Sequence, residues 1–340
     1  MSQFGEFDLI SRIRSKLGQR GDRVVRGLGD DAAVVRAEGV IVVSVDAFVE
    51  GVHFRLATTS LADLGHKCLA ASLSDLAAMG ASAGEAYLAL GLPENIGERE
   101  VLELVAGAER LAAESGAVIC GGDVTAADEL FIAVTAVGHA SREGDLVGRD
   151  GARPGDEVAV TGTLGGAGAG LVLLEQKEHG LPVEVGEALI ERQRRPLPLL
   201  ATGAALAAAG VTAMIDVSDG VASDARRIAE ESGVALEVEL ARLPLDEGVP
   251  EVARIAGLDP RELAATAGED YELLLTAPPA SRSAVEQAAA GAGSPLAWIG
   301  RVDQGDGVRL LDETGARLDL EGWDHLARRS SGRGPRRARA

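Results

Sequence analysis

Aromatic side chains are scarce in this 340-residue chain: five Phe, two Tyr and two Trp, or 3%. A core must therefore be built from aliphatic residues and alanine. Cysteine occurs only twice, at Cys68 and Cys120, each inside an apolar stretch. Two such thiols give no zinc-ligand spacing and fit buried, reduced side chains. No apolar run approaches the roughly 20 residues that cross a bilayer. The opening MSQFGEFDLI has neither a basic stretch nor a long apolar core, so the sequence reads as cytoplasmic, with no membrane partner. Positive charge is also short: 33 Lys and Arg against 53 Asp and Glu leave a net charge of −20. A nucleic-acid surface, which must neutralise phosphates, is argued against. A nucleotide ligand is not, because Mg²⁺ reconciles an acidic protein with anionic phosphate. The chain has no G-x-x-x-x-G-K-[ST] loop and no His-Arg-Asp loop, which sets aside the two common phosphoryl-transfer classes.

What the chain does have is Asp at the ends of short apolar runs. GLGDD spans residues 27–31. VIVVSVD ends on Asp46, SLSD on Asp75 and AVICGGD on Asp123, and MIDVSD carries Asp216 and Asp219. A strand end is a rigid mount, and carboxylate and hydroxyl oxygens are what Mg²⁺ accepts. So many acids in one place repel each other unless cations neutralise them. The pattern predicts a polyphosphate site built on several Mg²⁺ ions.

The spacing predicts a helix over 4–17, strands over 32–35 and 40–45, and a helix opened by the capping-box pair Ser60 and Asp63. That helix places Leu69, Leu73 and Leu76 on one face and stops near Gly80; Ser72 and Asp75, three apart, share a side. A strand over 85–92, a helix over 98–115 and strands over 117–120 and 130–138 follow. Strands alternating with helices indicate an α/β layered domain. The Gly/Pro-rich stretch 141–157 separates it from a second αβ half. There strands are expected at 157–161, 213–217, 271–276 and 296–302, and helices at 168–176, 199–209, 222–232 and 281–291. The expected division is 1–140, 141–326 and a basic, disordered tail at 327–340.

Several motifs have two readings. GLGDDAAV (27–34) is either a plain turn or a ligand loop. GTLGGAGAG (162–170) is either a phosphate contact or a turn that starts a small-residue helix. His53 follows the strand-end Asp46 by a few residues and is either structural or part of a phosphate site. CGGD puts two glycines before Asp123, where backbone approaches closely. Asp216 and Ser218 aim the same way if the strand continues. In GEDYELL (268–274), Glu269 is placed to accept hydrogen bonds from a substrate.

With these residues in hand, the chain resembles the thiamine-monophosphate kinase family, within the superfamily that includes aminoimidazole ribonucleotide synthetase. The resemblance runs over roughly 4–326, through GLGDDAAV, SVDAFVEGVHF, SLSDLAAMGA, GGD, GRDGARPGDEVAVTGTLG, IDVSDG, GEDYELL and GWDHL. It implies two αβ domains: an N-terminal mixed sheet with helices on one side that pairs across a homodimer, and a C-terminal αβ sandwich. It implies ATP-dependent phosphorylation of thiamine monophosphate to thiamine diphosphate. By motif, Asp30, Ser44, Val45 (through its carbonyl), Asp46, Asp75, Asp123, Asp216 and Asp219 match a Mg²⁺ shell, with Asp46 and Asp75 nearest the transferred group. Gly122, Asp123, Arg149 and Ser218 match nucleotide positions, and His53, Glu269 and Trp323 match positions around the thiamine phosphate. Ala71-Ser72 stand where an Asn is expected, GGDVT replaces GGDTT, and an Asp expected after TLG is missing. Rival readings are another ATP-using synthetase of the superfamily and a non-catalytic nucleotide- and Mg²⁺-binding regulator.

Overall fold

The computed structural model describes residues 6–18, 22–27, 32–176 and 180–322, the side chains of residues 6 and 7 excepted. Helix α1 (Glu6–Lys16) leads to short strands β1 (Val24–Arg26) and β2 (Val34–Val35). Next come β3 (Val40–Val49), α2 (Leu61–Ala78), β4 (Ser82–Leu92), α3 (Glu98–Ser115), β5 (Val118–Ala126) and β6 (Phe131–Ala140). The second half begins β7 (Glu157–Thr161), α4 (Gly166–Glu175), α5 (Val183–Arg194), α6 (Leu200–Ala208), β8 (Ala213–Asp216) and α7 (Val221–Ser232). It continues β9 (Ala235–Glu239), α8 (Val249–Ala256), α9 (Pro260–Thr266), β10 (Leu273–Ala277) and α10 (Arg282–Gly291). It ends with β11 (Leu296–Asp303), β12 (Gly307–Leu311) and β13 (Arg317–Leu318). Most expected elements are present. Helices α5, α8 and α9 and strands β1, β9, β12 and β13 come in addition.

Strands β3 to β6 form a mixed sheet in the order β3-β6-β4-β5, with only β4 and β5 parallel. Helices α2 and α3 cover one face. Along β3 the two faces separate residue by residue: Ser44, Asp46 and Phe48 turn toward α2, while Ile41, Val43 and Val45 are exposed. Ser60 caps α2, its hydroxyl oxygen accepting from the Asp63 amide at 3.1 Å and donating to the Asp63 carboxylate at 2.8 Å. Leu69, Leu73 and Leu76 are buried on α2, as its periodicity predicts.

Helices α2 and α3 touch backbone to backbone. A Cβ at Gly65 would stand 1.9 Å from the Leu104 carbonyl oxygen, and one at Gly107 would stand 1.9 Å from the Ala62 carbonyl oxygen. Neither neighbour is a flexible side chain, so the helices would have to part. Gly65→Ala is therefore expected to destabilise the protein by about 2 kcal/mol or more, read as a lower midpoint in urea unfolding.

The second sheet has seven strands in the order β13-β12-β9-β11-β7-β10-β8. Its alternation divides two cores. Ile215 of β8 and Leu274 of β10 join Ala225 and Ile228 of α7 on one face. Met214, Leu273 and Leu275 join Leu206 of α6 and Val285 of α10 on the other. Helix α2 lies against this half too: a Cβ at Gly203 of α6 would stand 1.9 Å from the Ala77 carbonyl oxygen. The first sheet's helix thus becomes the shared wall on which the site is built.

Candidate active site

Three carboxylates meet at that wall. Asp46 comes from β3, Asp75 from α2 and Asp216 from the end of β8, and each has a serine. The Ser44 hydroxyl donates to Asp75 Oδ2. Ser72 donates to Asp46 Oδ2 at 2.7 Å and Ser74 to Asp216 Oδ2 at 2.9 Å. Ser72 and Ser74 are two apart on α2, so one turn of helix serves acids from both sheets.

The electrostatics record the crowding. Burial first, and then the charge of Asp75, raise Asp46 from 3.8 to about 6, against the pull of the Ser72 hydrogen bond. The same two causes raise Asp216 from 3.8 to about 7, opposed by the Ser74 bond and by the charge of Arg149. Arg149 is thereby placed within electrostatic reach of Asp216. A cation beside such crowded acids would favour their charged forms. The donors are hard oxygens, which is what Mg²⁺ takes. Among the described residues, no group of three His, Cys, Asp or Glu side chains is arranged to hold an ion unaided. Mg²⁺ is commonly held by one or two carboxylates together with substrate phosphates and water. The residues present therefore fit an ion that is completed by the nucleotide.

The other expected positions divide. Asp219 lies just beyond β8, bound by Arg227 at 2.7 Å, and its amide donates to Asp224 at 3.1 Å. Strand β8 ends at Asp216, so the strand alternation expected to carry on to Ser218 does not apply; Ser218 belongs to the following turn. Asp123 is exposed on β5 and makes no side-chain bond to the three acids. Gly122 is accounted for by the neighbouring strand, since a Cβ there would stand 1.8 Å from the Leu88 carbonyl oxygen. The Val45 side chain is on the exposed sheet face, leaving only its main chain to the site. His53 Nδ1 accepts from the Val49 amide at 3.0 Å, and its ring packs edge-on against Phe48. A neutral ring so bonded carries its proton on Nε2. Asp30 and Trp323 lie outside the described residues.

GEDYELL contains more than the sequence indicates. Glu269 pairs with Lys67 at 2.8 Å and accepts from Gln193 Nε2 at 2.8 Å. Asp270 turns inward, accepting from the amides of Gly165 at 2.7 Å and Ala167 at 3.2 Å. It therefore occupies the N-terminus of α4, where backbone N–H groups attract an anion. Burial raises it from 3.8 to about 7, although those amides and Arg192 pull it down. Of the two readings of the Gly-rich 162–170 turn, the helix start is the one present, and its anion is Asp270. Glu272 takes the Thr161 hydroxyl at 2.7 Å and Arg192 at 3.1 Å. Lys67, Gln193, Ser74 and Arg192 were not expected from the sequence. The one available signal was a lysine placed among the apolar residues of α2.

A two-layered N-terminal half and an αβ C-terminal half joined at an acidic seam define an AIR synthase related protein. The family model for the N-terminal domain of that class matches residues 29–140, and the one for its C-terminal domain matches residues 153–313. A thiamine-monophosphate kinase of Methanopyrus kandleri is 37% identical over 315 residues, which is 92% of this chain and 94% of its own. The crystal structure of the Stenotrophomonas maltophilia thiamine-monophosphate kinase matches with a TM-score of 0.81 and 38% identity, over 93% of this chain and 98% of its own. AaThiL, solved complexed with AMPPCP and TMP, matches with a TM-score of 0.75 and 32% identity, over 95% and 97%. The chain belongs to the thiamine-monophosphate kinase family.

Proposed function

We propose that the chain transfers the γ-phosphoryl group of ATP to the phosphate of thiamine monophosphate at the seam of Asp46, Asp75 and Asp216, with Mg²⁺ ions held there. Kinase activity on that acceptor, with ATP as co-substrate, follows from the family. The roles of single residues are our reading. One observation carries it: a carboxylate from each sheet and one from α2 between them converge, each with a serine hydroxyl, and burial with mutual charge raises two of them to about 6 and about 7.

The acceptor is a phosphate monoester with a second pKa of about 6. Its attacking oxygen is already largely an anion at pH 7, so no general base is needed. The difficulty is bringing one anion to another. Bound Mg²⁺ supplies charge neutralisation and alignment of the in-line oxygens. The chain's own part is to orient. Asp46 and Asp75 would hold Mg²⁺ at the transferred group. Asp216, Asp219, Asp123, Asp30, Ser44 and the Val45 carbonyl would supply its further oxygen ligands. Arg149, Ser218, Asp123 and the Gly122 backbone face the nucleotide. His53, Glu269 and Trp323 take the thiamine phosphate, with Trp323 stacking on a ring.

Two wider proposals accompany this. Residues 1–140 form a nucleotide-, Mg²⁺- and partner-binding domain and 141–326 a domain that completes the site; the matched spans 29–140 and 153–313 support that division. The exposed Ile41, Val43 and Val45 on the uncovered face of the first sheet suit a second copy of the chain. No described helix is long and apolar enough to cross a membrane.

Incubation with ATP, Mg²⁺ and thiamine monophosphate is expected to yield ADP and thiamine diphosphate in equal amounts. ADP without thiamine diphosphate would point to another acceptor and overturn the reading.

A further inference from the structure

We infer that Lys67 and Gln193 are positioning residues for Glu269, and that through it they set the affinity for the thiamine part of the acceptor. This deepens the proposed function and rests on the placement of Glu269 beside thiamine monophosphate.

Lys67 lies on α2 between Leu64, Cys68 and Ala71, and only 4% of it is exposed. An ammonium in such a place is costly unless it is paired. Its Nζ stands 2.8 Å from Glu269 Oε1 and donates to Gln193 Oε1 at 3.2 Å. Gln193 Nε2 in turn donates to Glu269 Oε2 at 2.8 Å. The three side chains close a ring that joins α2, α5 and the GEDY loop. Both oxygens of Glu269 are gripped from the protein side.

Exposure gives the ring a direction. The Lys67 side chain is 5% exposed and that of Glu269 is 30% exposed. Glu269 is therefore the member that meets solvent or a ligand, and the other two are its mount. The backbone agrees. Glu269 has φ +60° and Tyr271 φ +52°, a region that non-glycine residues seldom adopt. The turn is held there by the Glu269 amide bonded to the Ser218 carbonyl at 2.8 Å and the Tyr271 amide bonded to the Val217 carbonyl at 2.9 Å. A carboxylate fixed at backbone and head offers its remaining lone pairs in one direction. A cationic heteroaromatic ring or an aromatic amine is the chemistry such an acceptor recognises, and thiamine carries both. A ring that only tied α5 to α2 would need neither the exposed carboxylate nor the strained turn.

The test is steady-state kinetics in both substrates for Glu269→Gln, Gln193→Met and Lys67→Met, with thermal melts of each. Gln193→Met removes one donor without stranding a buried charge, so it carries the test if Lys67→Met fails to fold. It is expected to raise KM for thiamine monophosphate about tenfold, with KM for ATP changed less than about twofold. Placed on Glu269→Gln, it should add little, since the two changes remove one arrangement. Equal movement of both KM values, or no movement for thiamine monophosphate, would overturn the positioning role. If Glu269→Gln itself leaves that KM unchanged, the placement of Glu269 is what fails, and the ring is only a tie between helices.

Discussion

Asp75→Asn is expected to lower turnover by about 10³-fold or more, a loss of some 4 kcal/mol of transition-state stabilisation. The fold should survive. The side chains are isosteric, and the amide oxygen of Asn still accepts the bond that Ser44 gives to Asp75. The effect is large because Asp75 is central: its charge appears in the raised pKa of both Asp46 and Asp216. An ion at the transferred phosphoryl would lose one of its two carboxylate countercharges when residue 75 is neutral. Stopped-time assays of thiamine diphosphate at saturating Mg²⁺ measure this, with circular dichroism as the control for folding. Near-normal turnover would remove Asp75 from the metal site.

Asp216→Asn has a second signature besides lost turnover. In the metal-free protein Asp216 titrates near 7 rather than 3.8. Between those values the folded state holds a proton that the unfolded state has released. Stability of the metal-free wild type therefore falls as pH rises across that window, and the cost is complete above about pH 7. Asn never carries the charge. In EDTA the variant should be more stable than wild type at pH 8, by about 4 kcal/mol at most, with the gain largely gone near pH 4. Added Mg²⁺ with nucleotide should raise the wild-type melting temperature at pH 8 by more than the variant's. A variant that is less stable at pH 8 would mean that Asp216 is held by structural bonds rather than waiting for a cation.

The sequence revealed the acids but not how they are carried. Asp46, expected at a strand end, lies inside β3, which runs on to Val49, and only its face followed from alternation. The helix pair Ser72 and Asp75 could be placed because the three-residue helical spacing is a local rule. Cap Ser60, the α3 span and strand β7 followed for the same reason. Helices α8 and α9 do carry local signals, Pro250 and the closing Gly257 on α8 and the capping Asp259 on α9, and with α5 they pack against α4. The roles within GEDYELL were hidden. Asp270 meets Gly165 and Ala167 across 105 and 103 residues of chain, and Lys67 meets Gln193 across 126. No local pattern encodes such meetings. Ser72, where an Asn was expected, keeps a polar function, since its hydroxyl bonds Asp46.

The most direct test of the account is the Mg²⁺ dependence of thiamine diphosphate formation at pH 8, with ATP and thiamine monophosphate saturating, for wild type and Asp46→Asn. If Asp46 shares an ion with the nucleotide, the half-saturating free Mg²⁺ should rise about tenfold or more in the variant. An unchanged midpoint with only a lower plateau would contradict a metal site at this seam.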